Sequence, residues 1–445
     1  MNFRNIMTRT VFISFLLCVV VASIEAQETV TPQEAITLTL ENNYGIKIAN
    51  NAVELAANNK DILNSGYLPV LSGNGGATYN QDNLKAEFAS GETTELNGAE
   101  SSRYNASISL DYLLFDGLGR YYNYKQLKEE YNLSELEARQ TIELTIVQLL
   151  SVYYDVSRQS ENVNSLQETL AISKERLTRA EYQFEYGQNT KLDVLNAEVD
   201  INNDSINIIN ARQNLINAKR DLNVVTSNAI PEQFEIDTTV TFLEGLDKEQ
   251  LMAKTLANNV SLLQAEQNII ISEFSLKASR SGYLPAIGLF GTYGWNENNN
   301  NAASFVAVST NTGVSAGVSL SWNLFDGGST ITRVKNSKIL LENQRLIKED
   351  IKLDVQRDFN NAWTDYKNKL NIFYIQEDNI RTARNNFQRT EEQFRLGQVT
   401  SIIFRQAQLN LLSAELTRNQ AKYEAKLAEV VVLQLSGELL NVNIF

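Results

Sequence analysis

The sequence predicts a mainly α-helical protein with a small β portion, built from one module given twice: helix, β-hairpin, long helix, return helix. Three observations predict it. Short motifs recur in the same order at a domain-sized spacing. The hydrophobic period switches between the helical value and two and back again, once per copy. Only 4 of 445 residues are proline, so long segments run free of the residue that most strongly breaks helices.

The repeat is explicit. Ser65-Gly66-Tyr67-Leu68-Pro69 returns 216 positions later as Ser281-Gly282-Tyr283-Leu284-Pro285. Leu114-Phe115-Asp116-Gly117 returns as Leu324-Phe325-Asp326-Gly327, and Phe184-Glu185-Tyr186-Gly187-Gln188-Asn189-Thr190 as Phe394-Arg395-Leu396-Gly397-Gln398-Val399-Thr400, both at 210 positions. The segment between the first two landmarks is therefore six residues shorter in the second copy. A period of this size exceeds any solenoid unit and indicates a duplicated, pseudo-symmetric module.

Residues 1–26 read as a secretory leader: Arg4 and Arg9, an apolar run from Val11 to Ala22, then Ile24-Glu25-Ala26 as the cleavage site. The run is shorter than the ~20 residues a spanning helix needs. Cys18, the only cysteine, lies inside it behind Leu17. Lipid attachment normally needs a small residue there. Without the leader the chain has neither thiol nor histidine, which removes the commonest metal ligand and general base. No metal, cofactor or catalytic group is expected. With 39 basic against 53 acidic residues the net charge is −14, which repels phosphate backbones and argues against nucleic acid.

The first copy occupies 27–227. Thr31 caps and Pro32 opens a helix over 32–65, which the Ser-Gly-Tyr-Leu-Pro motif ends. A hairpin follows over 70–115. Tyr104, Ala106, Ile108, Leu110, Tyr112 and Leu114 share one face, and Asn105, Ser107, Ser109 and Asp111 the other; this period of two is a strand. Leu71, Gly73, Gly75, Ala77 and Tyr79 mark its partner. The second copy, 247–445, repeats this with a helix over 247–281 and a hairpin over 286–325. There Val314, Ala316, Val318, Leu320, Trp322 and Leu324 oppose Ser315, Gly317, Ser319, Ser321 and Asn323. Polar loops near 81–102 and 296–312 join the strands.

Long helices are predicted over 119–186 and 329–396, each roughly 100 Å at ~1.5 Å per residue. Ile142, Leu149, Val156, Val163, Leu170, Leu177 and Phe184 recur every seven residues, as do Phe359, Tyr366, Phe373, Ile380, Phe387 and Phe394. Heptads imply supercoiled packing. Polar residues between them (Thr145, Gln159, Ser173, Lys369, Gln376) suggest a seam buried on one side. Return helices over 190–227 and 400–436, stacked on the short helices, match the long ones in length. The linker 228–246 sits at the middle of that stack, and a tail closes the chain.

The strands, of about 10–12 residues, are long enough to cross an outer membrane when tilted, with Tyr79, Trp295, Tyr112 and Trp322 near the ends of the apolar band. A membrane sheet must close to leave no edge in lipid. Four strands cannot close, and eight are filled by their own side chains. A conducting lumen thus needs at least three chains and twelve strands.

The duplicated set of motifs, in this order and over the whole chain after the leader, resembles the TolC-like outer-membrane efflux and secretion channels. The resemblance implies a homotrimer: a twelve-stranded β-barrel in the outer membrane of a Gram-negative bacterium, continued by a twelve-helix α-barrel through the periplasm. It implies a passive exit duct that meets a periplasmic adaptor fed by an inner-membrane transporter of RND, ABC or MFS type. It implies adaptor contact at the tips, through Phe184, Gly187, Gln188 and Thr190 with Phe394, Gly397, Gln398 and Thr400. The same residues also answer to turn chemistry alone, glycine for positive φ and threonine as cap. Such channels carry aspartates about six residues after the tip glycine. Asp193 fits that place, or is an ordinary first-turn carboxylate favoured by the helix dipole. In the second copy Ile403 stands there, followed by Arg405 and Gln406, and the tyrosine and arginine that lock such tips are replaced by Phe184, Phe394, Asn189 and Val399. Asp193, Ile403 and Arg405 are thus the candidate gate. A secreted coiled-coil or adhesin-like fibre is the competing reading; it explains the heptads but not strands with one wet face.

Overall fold

The computed structural model describes residues 29–441 apart from Glu232; the leader and Cys18 lie outside the described residues. In chain order the elements are β1 (Thr29–Val30), α1 (Pro32–Asn42), α2 (Tyr44–Asn59), β2 (Val70–Glu87), β3 (Thr93–Asp116), α3 (Gly119–Glu185), α4 (Lys191–Val225), β4 (Glu235–Ile236), α5 (Lys248–Asn258), α6 (Val260–Ser279), β5 (Ala286–Asn299), β6 (Val308–Ser321), α7 (Ser329–Arg395) and α8 (Ser401–Leu435). Two compact units form. One takes residues 29–51, Glu137–Leu263 and 351–441; the other takes Ala52–Leu136 and Gln264–Asp350. Each unit contains pieces of both sequence copies.

Helices α3 and α7 have 67 residues each and α4 and α8 have 35 each, so the duplication preserves the length of these four helices. In the first unit the core gathers on Leu149, Leu150, Tyr153 and Val156 of α3, with Leu222, Phe234, Val430 and Leu433 around them. The strand pair β1 and β4, parallel and two residues each, joins the segment before α1 to the linker, where no strand was expected. It docks on Tyr153, whose hydroxyl lies 2.9 Å from the Val30 carbonyl and 3.0 Å from that of Asp237. Glu143 is buried here. The Arg139 Nε donates to its carboxylate at 2.7 Å, yet burial still pushes the carboxyl above its ordinary value.

The helices expected over 32–65 and 247–281 are each broken in two. Asn43 and Asn259 leave helical geometry with ψ of 126° and 125°. The Asn43 Oδ1 accepts from the Ile46 backbone N–H at 3.2 Å, and its Nδ2 donates to the Val225 carbonyl at 2.8 Å. Asn259 does the same with Ser261 N–H and the Leu435 carbonyl. One carboxamide thus caps the start of one helix and the end of another. Apolar periodicity continues across the break, so only these hydrogen bonds reveal it.

In the second unit the strands form one antiparallel sheet in the order β2-β3-β5-β6. Register places Leu71, Leu110 and Gly291 in one row and Ile108, Tyr293 and Val314 in another. This apolar face is exposed: Ile108, Leu110, Tyr293, Val314 and Val318 all face outward. The opposite face is polar, with Ser72, Ser109, Thr292 and Ser315 in one row and Gly76, Asn105, Asn296 and Asn311 in another. The expected loop at 81–102 is corrected: β2 and β3 run on as a two-stranded ribbon that turns only at 88–92. Leu84 opposite Leu96, with Ala86 beside them, marks one face and Lys85, Glu87, Thr93 and Glu95 the other; that apolar stretch is too short to announce a strand, whereas a ladder needs only its backbone pairs. The second connection is a turn at 300–307, and β6 stops at Ser321, three residues short of Leu324.

The Leu-Phe-Asp-Gly motif has a local purpose. Gly117 and Gly327 turn the chain at φ of 71° and 68°. The preceding aspartates accept from the first turns of α3 and α7, at Arg120 N–H (2.7 Å) and Thr330 N–H (2.8 Å), satisfying donors that helix starts leave free. Among the described residues no helix is long and apolar enough to cross a membrane.

Candidate functional site: the paired hairpin tips

Both tips are built by the same backbone. At the end of α3, Gly187 takes φ of 71°, the Gly187 N–H donates to Phe184 O at 3.0 Å and the Gln188 N–H to Gln183 O at 2.7 Å. At the end of α7, Gly397 has φ of 73° with matching bonds to Phe394 and Gln393 at 3.0 and 2.8 Å. This is the Schellman closure, which needs a left-handed residue. The candidates Gly187, Gln188, Gly397 and Gln398 therefore have a structural task, and all four remain exposed.

The side chains divide. Phe184 points to solvent beside the Lys191 ammonium. Phe394 instead stacks on Phe404 at 4.6 Å between centroids, with the Arg179 guanidinium 5.1 Å from its ring. Thr400 caps α8, its Oγ1 accepting from the Ile403 N–H at 3.4 Å. Thr190 occupies the same cap position, but its hydroxyl donates to the Asp193 carboxylate at 2.9 Å. Exposed Tyr186, Leu192, Leu396 and Ile402 complete an apolar fringe that motif matching missed. Its only sequence signal is the run of apolar residues flanking each turn glycine.

Of the gate candidates, Asp193 and Arg405 line one groove together with Asp200, Ile402 and Gln406, while Ile403 is exposed. Arg405 is 12% exposed. Its two terminal nitrogens grip Asp204 at 2.7 and 2.8 Å, a bidentate pair, and its Nε lies 3.6 Å from Asp200. Asp204, 2% exposed, also accepts from the Ser173 hydroxyl at 2.6 Å. Gln408 accepts from Arg405 at 3.0 Å and donates to the Thr169 carbonyl at 2.8 Å, and Arg176 pairs with Asp200. This network ties α8 to α3 and α4. It explains why Ser173, polar at a heptad position, is fully buried: its hydroxyl is satisfied. Sequence reasoning missed every partner of Arg405. Among the described residues no group of three acidic side chains that could hold a metal ion forms.

Two long helices closing on a glycine turn, given twice, together with a sheet that has one apolar and one polar face, match a known family. Residues 35–227 and 251–438 fit the model of the outer membrane efflux protein family. The chain belongs to that family. BepC, an outer membrane efflux protein of Brucella suis, is 22% identical over 441 residues, covering 97% of this chain and 92% of its own. TolC of Vibrio cholerae is 22% identical over 296 residues, 66% of this chain and 68% of its own. The fold is shared with the CmeC outer membrane channel of Campylobacter jejuni, at a TM-score of 0.74 and 17% identity over 92% of this chain and 86% of that one. It is also shared with the open-state MtrE channel of Neisseria gonorrhoeae, at a TM-score of 0.70 and 17% identity over 92% and 89%. As an outer membrane efflux protein the chain is a non-enzymatic transport duct of the Gram-negative outer membrane that reaches into the periplasm. The fibre reading is set aside by this membership.

Proposed function

We propose that three copies of this chain assemble into one conduit, a twelve-stranded β-barrel continued by a twelve-helix tunnel, which serves as the exit duct of a tripartite efflux or type I secretion system. The observation that carries the reading is the open four-stranded sheet. Its apolar face suits lipid and its Ser/Asn/Gly face suits water, while β2 and β6 each leave one edge unpaired. An unpaired edge in hydrocarbon costs several kcal/mol per backbone group, and pairing β6 of one chain with β2 of the next removes it. Substrate is moved by the energised partner, an inner-membrane transporter of RND, ABC or MFS type. A periplasmic adaptor grips the tips and biases them from a closed to an open population.

The test has two parts. Protein extracted from outer membranes in detergent should have the mass of three chains and should change its gel mobility on heating; a single-chain mass sinks the assembly. Wedging the tips with Asp193→Arg and Gly187→Pro should raise single-channel conductance in planar bilayers. Unchanged conductance would count against the tips as the gate.

A further inference from the structure

We propose that the two tip hairpins of one chain are stapled into a single moving body, so that the tunnel opens along the seams between chains and not within them. This rests on the trimeric reading above and deepens it. Six hairpins around a tunnel meet at six seams, three inside chains and three between them. The duplication makes these seams geometrically alike, so the side chains decide which one parts.

Inside a chain the seam carries the network of Arg405, Asp204, Asp200, Arg176, Ser173 and Gln408. A buried ion pair of this kind contributes little net stability, but it fixes the register of the elements it joins. The counterpart of each group is read off the 210-residue offset. Arg405 corresponds to Leu195, Asp204 to Ala414, Asp200 to Asn410, Arg176 to Asn386 and Ser173 to Ala383. None of these five is ionisable; the sixth, Gln408, corresponds to Glu198, a carboxylate with no cation among the counterparts to meet it. The seam between chains, formed by those counterparts, cannot hold the staple.

The apolar layers follow the same rule. Val163, Leu166, Ile208, Ala211 and Leu412 form a cluster across α3, α4 and α8. Their counterparts are Phe373, Gln376, Arg418, Ala421 and Asn202, so three of the five positions turn polar. Nearer the tip, Ile172 of α3 packs on Phe387, Phe404 and Ala407, and its counterpart is Thr382. One contact does not discriminate: Arg179 donates to the Arg395 carbonyl at 2.7 Å and has a counterpart in Arg389. Charge pairing and apolar packing thus both favour the seam inside the chain.

Distances between spin labels on the assembled, full-length protein in detergent test this directly, since the chain has no cysteine beyond Cys18. Gln188→Cys and Gln398→Cys are labelled in one chain, co-assembled with an excess of unlabelled chains, to report the seam inside. Gln188→Cys alone, fully labelled, reports chain-to-chain separation. The first distance distribution should be no more than half as wide as the second. Asp204→Ala with Arg405→Leu removes the staple without leaving an orphan charge, and should widen the first distribution to match the second. If that pair fails to assemble, Arg405→Lys gives up the bidentate grip and should widen it by a smaller factor. Equal widths in the unsubstituted protein overturn the proposal, as does an unchanged width after the staple is removed. A single-chain mass, with no dipolar coupling in the singly labelled sample, instead defeats the trimeric reading on which it stands.

Discussion

At Gly187 and Gly397 the chain makes the same turn with the same two hydrogen bonds, yet the surroundings of the two tips differ. The second tip is held from within, Phe394 lying on Phe404 and Thr400 capping α8, and it supplies the Arg405 that reaches across to α4. The first has an exposed phenylalanine and a threonine turned toward Asp193. Identical backbone with unequal side-chain support teaches that the duplication sets geometry, while divergence between the copies sets which parts hold and which yield.

The largest test of that contrast is Arg405→Ala. It leaves Asp204 buried without its partner and should lower the local opening free energy of α3 and α4 near the tip by about 3–5 kcal/mol, read by hydrogen exchange. Leu195→Ala, its exposed counterpart, should stay within about 0.5 kcal/mol. Equal effects would erase the contrast. Next, Phe394→Ala should cost about 1.5–2 kcal/mol, because a partly buried ring leaves its stack, whereas Phe184→Ala should be close to neutral by the same exchange measurement.

Gly187→Ala and Gly397→Ala sharpen the comparison by agreeing. Each glycine has positive φ and open space where a Cβ would stand, so each should cost about 1–2 kcal/mol through backbone strain alone. A marked inequality would show that the turns are not equivalent. The smallest effect concerns Glu143, whose counterpart is the exposed Leu353. A carboxyl whose folded value lies above its unfolded one keeps a proton that the unfolded chain has lost. Stability therefore falls as pH rises from the ordinary carboxylate value through the raised one. Glu143→Gln should remove that decline from melting curves taken across the window, and an unchanged profile would assign the slope elsewhere.

The long helices were legible to within a residue at both ends, because helix breakers are absent between a capping aspartate and a turn glycine. The central strands were legible from their period of two. The ribbon beyond Tyr79 was not, since its apolar face is reduced to Leu84, Ala86 and Leu96, nor were the breaks at Asn43 and Asn259, where apolar periodicity runs through. At the tips, the turn residues could be read locally. The partners of Arg405 could not, because Asp204 lies 201 residues away in sequence. A signal did exist: Arg405, Arg176, Asp200 and Asp204 all lose their charge at the 210-residue offset. Opposite charges unmatched between copies are candidates to pair with each other.

The two asparagine joints have a further consequence for how such a chain can change over time. Asn43 splices the end of α4 to the start of α2, and Asn259 splices α8 to α6, so each joint links helices that are far apart in sequence. Residues inserted into the linker between α4 and α5 leave the splice itself untouched, provided that Phe234, Ile236 and Asp237 keep their places against the core. A single residue inserted within a helix rotates everything beyond it by about 100° and breaks the joint. Variation in length should therefore collect beside the splices, where carpentry tolerates it, and stay out of the timbers.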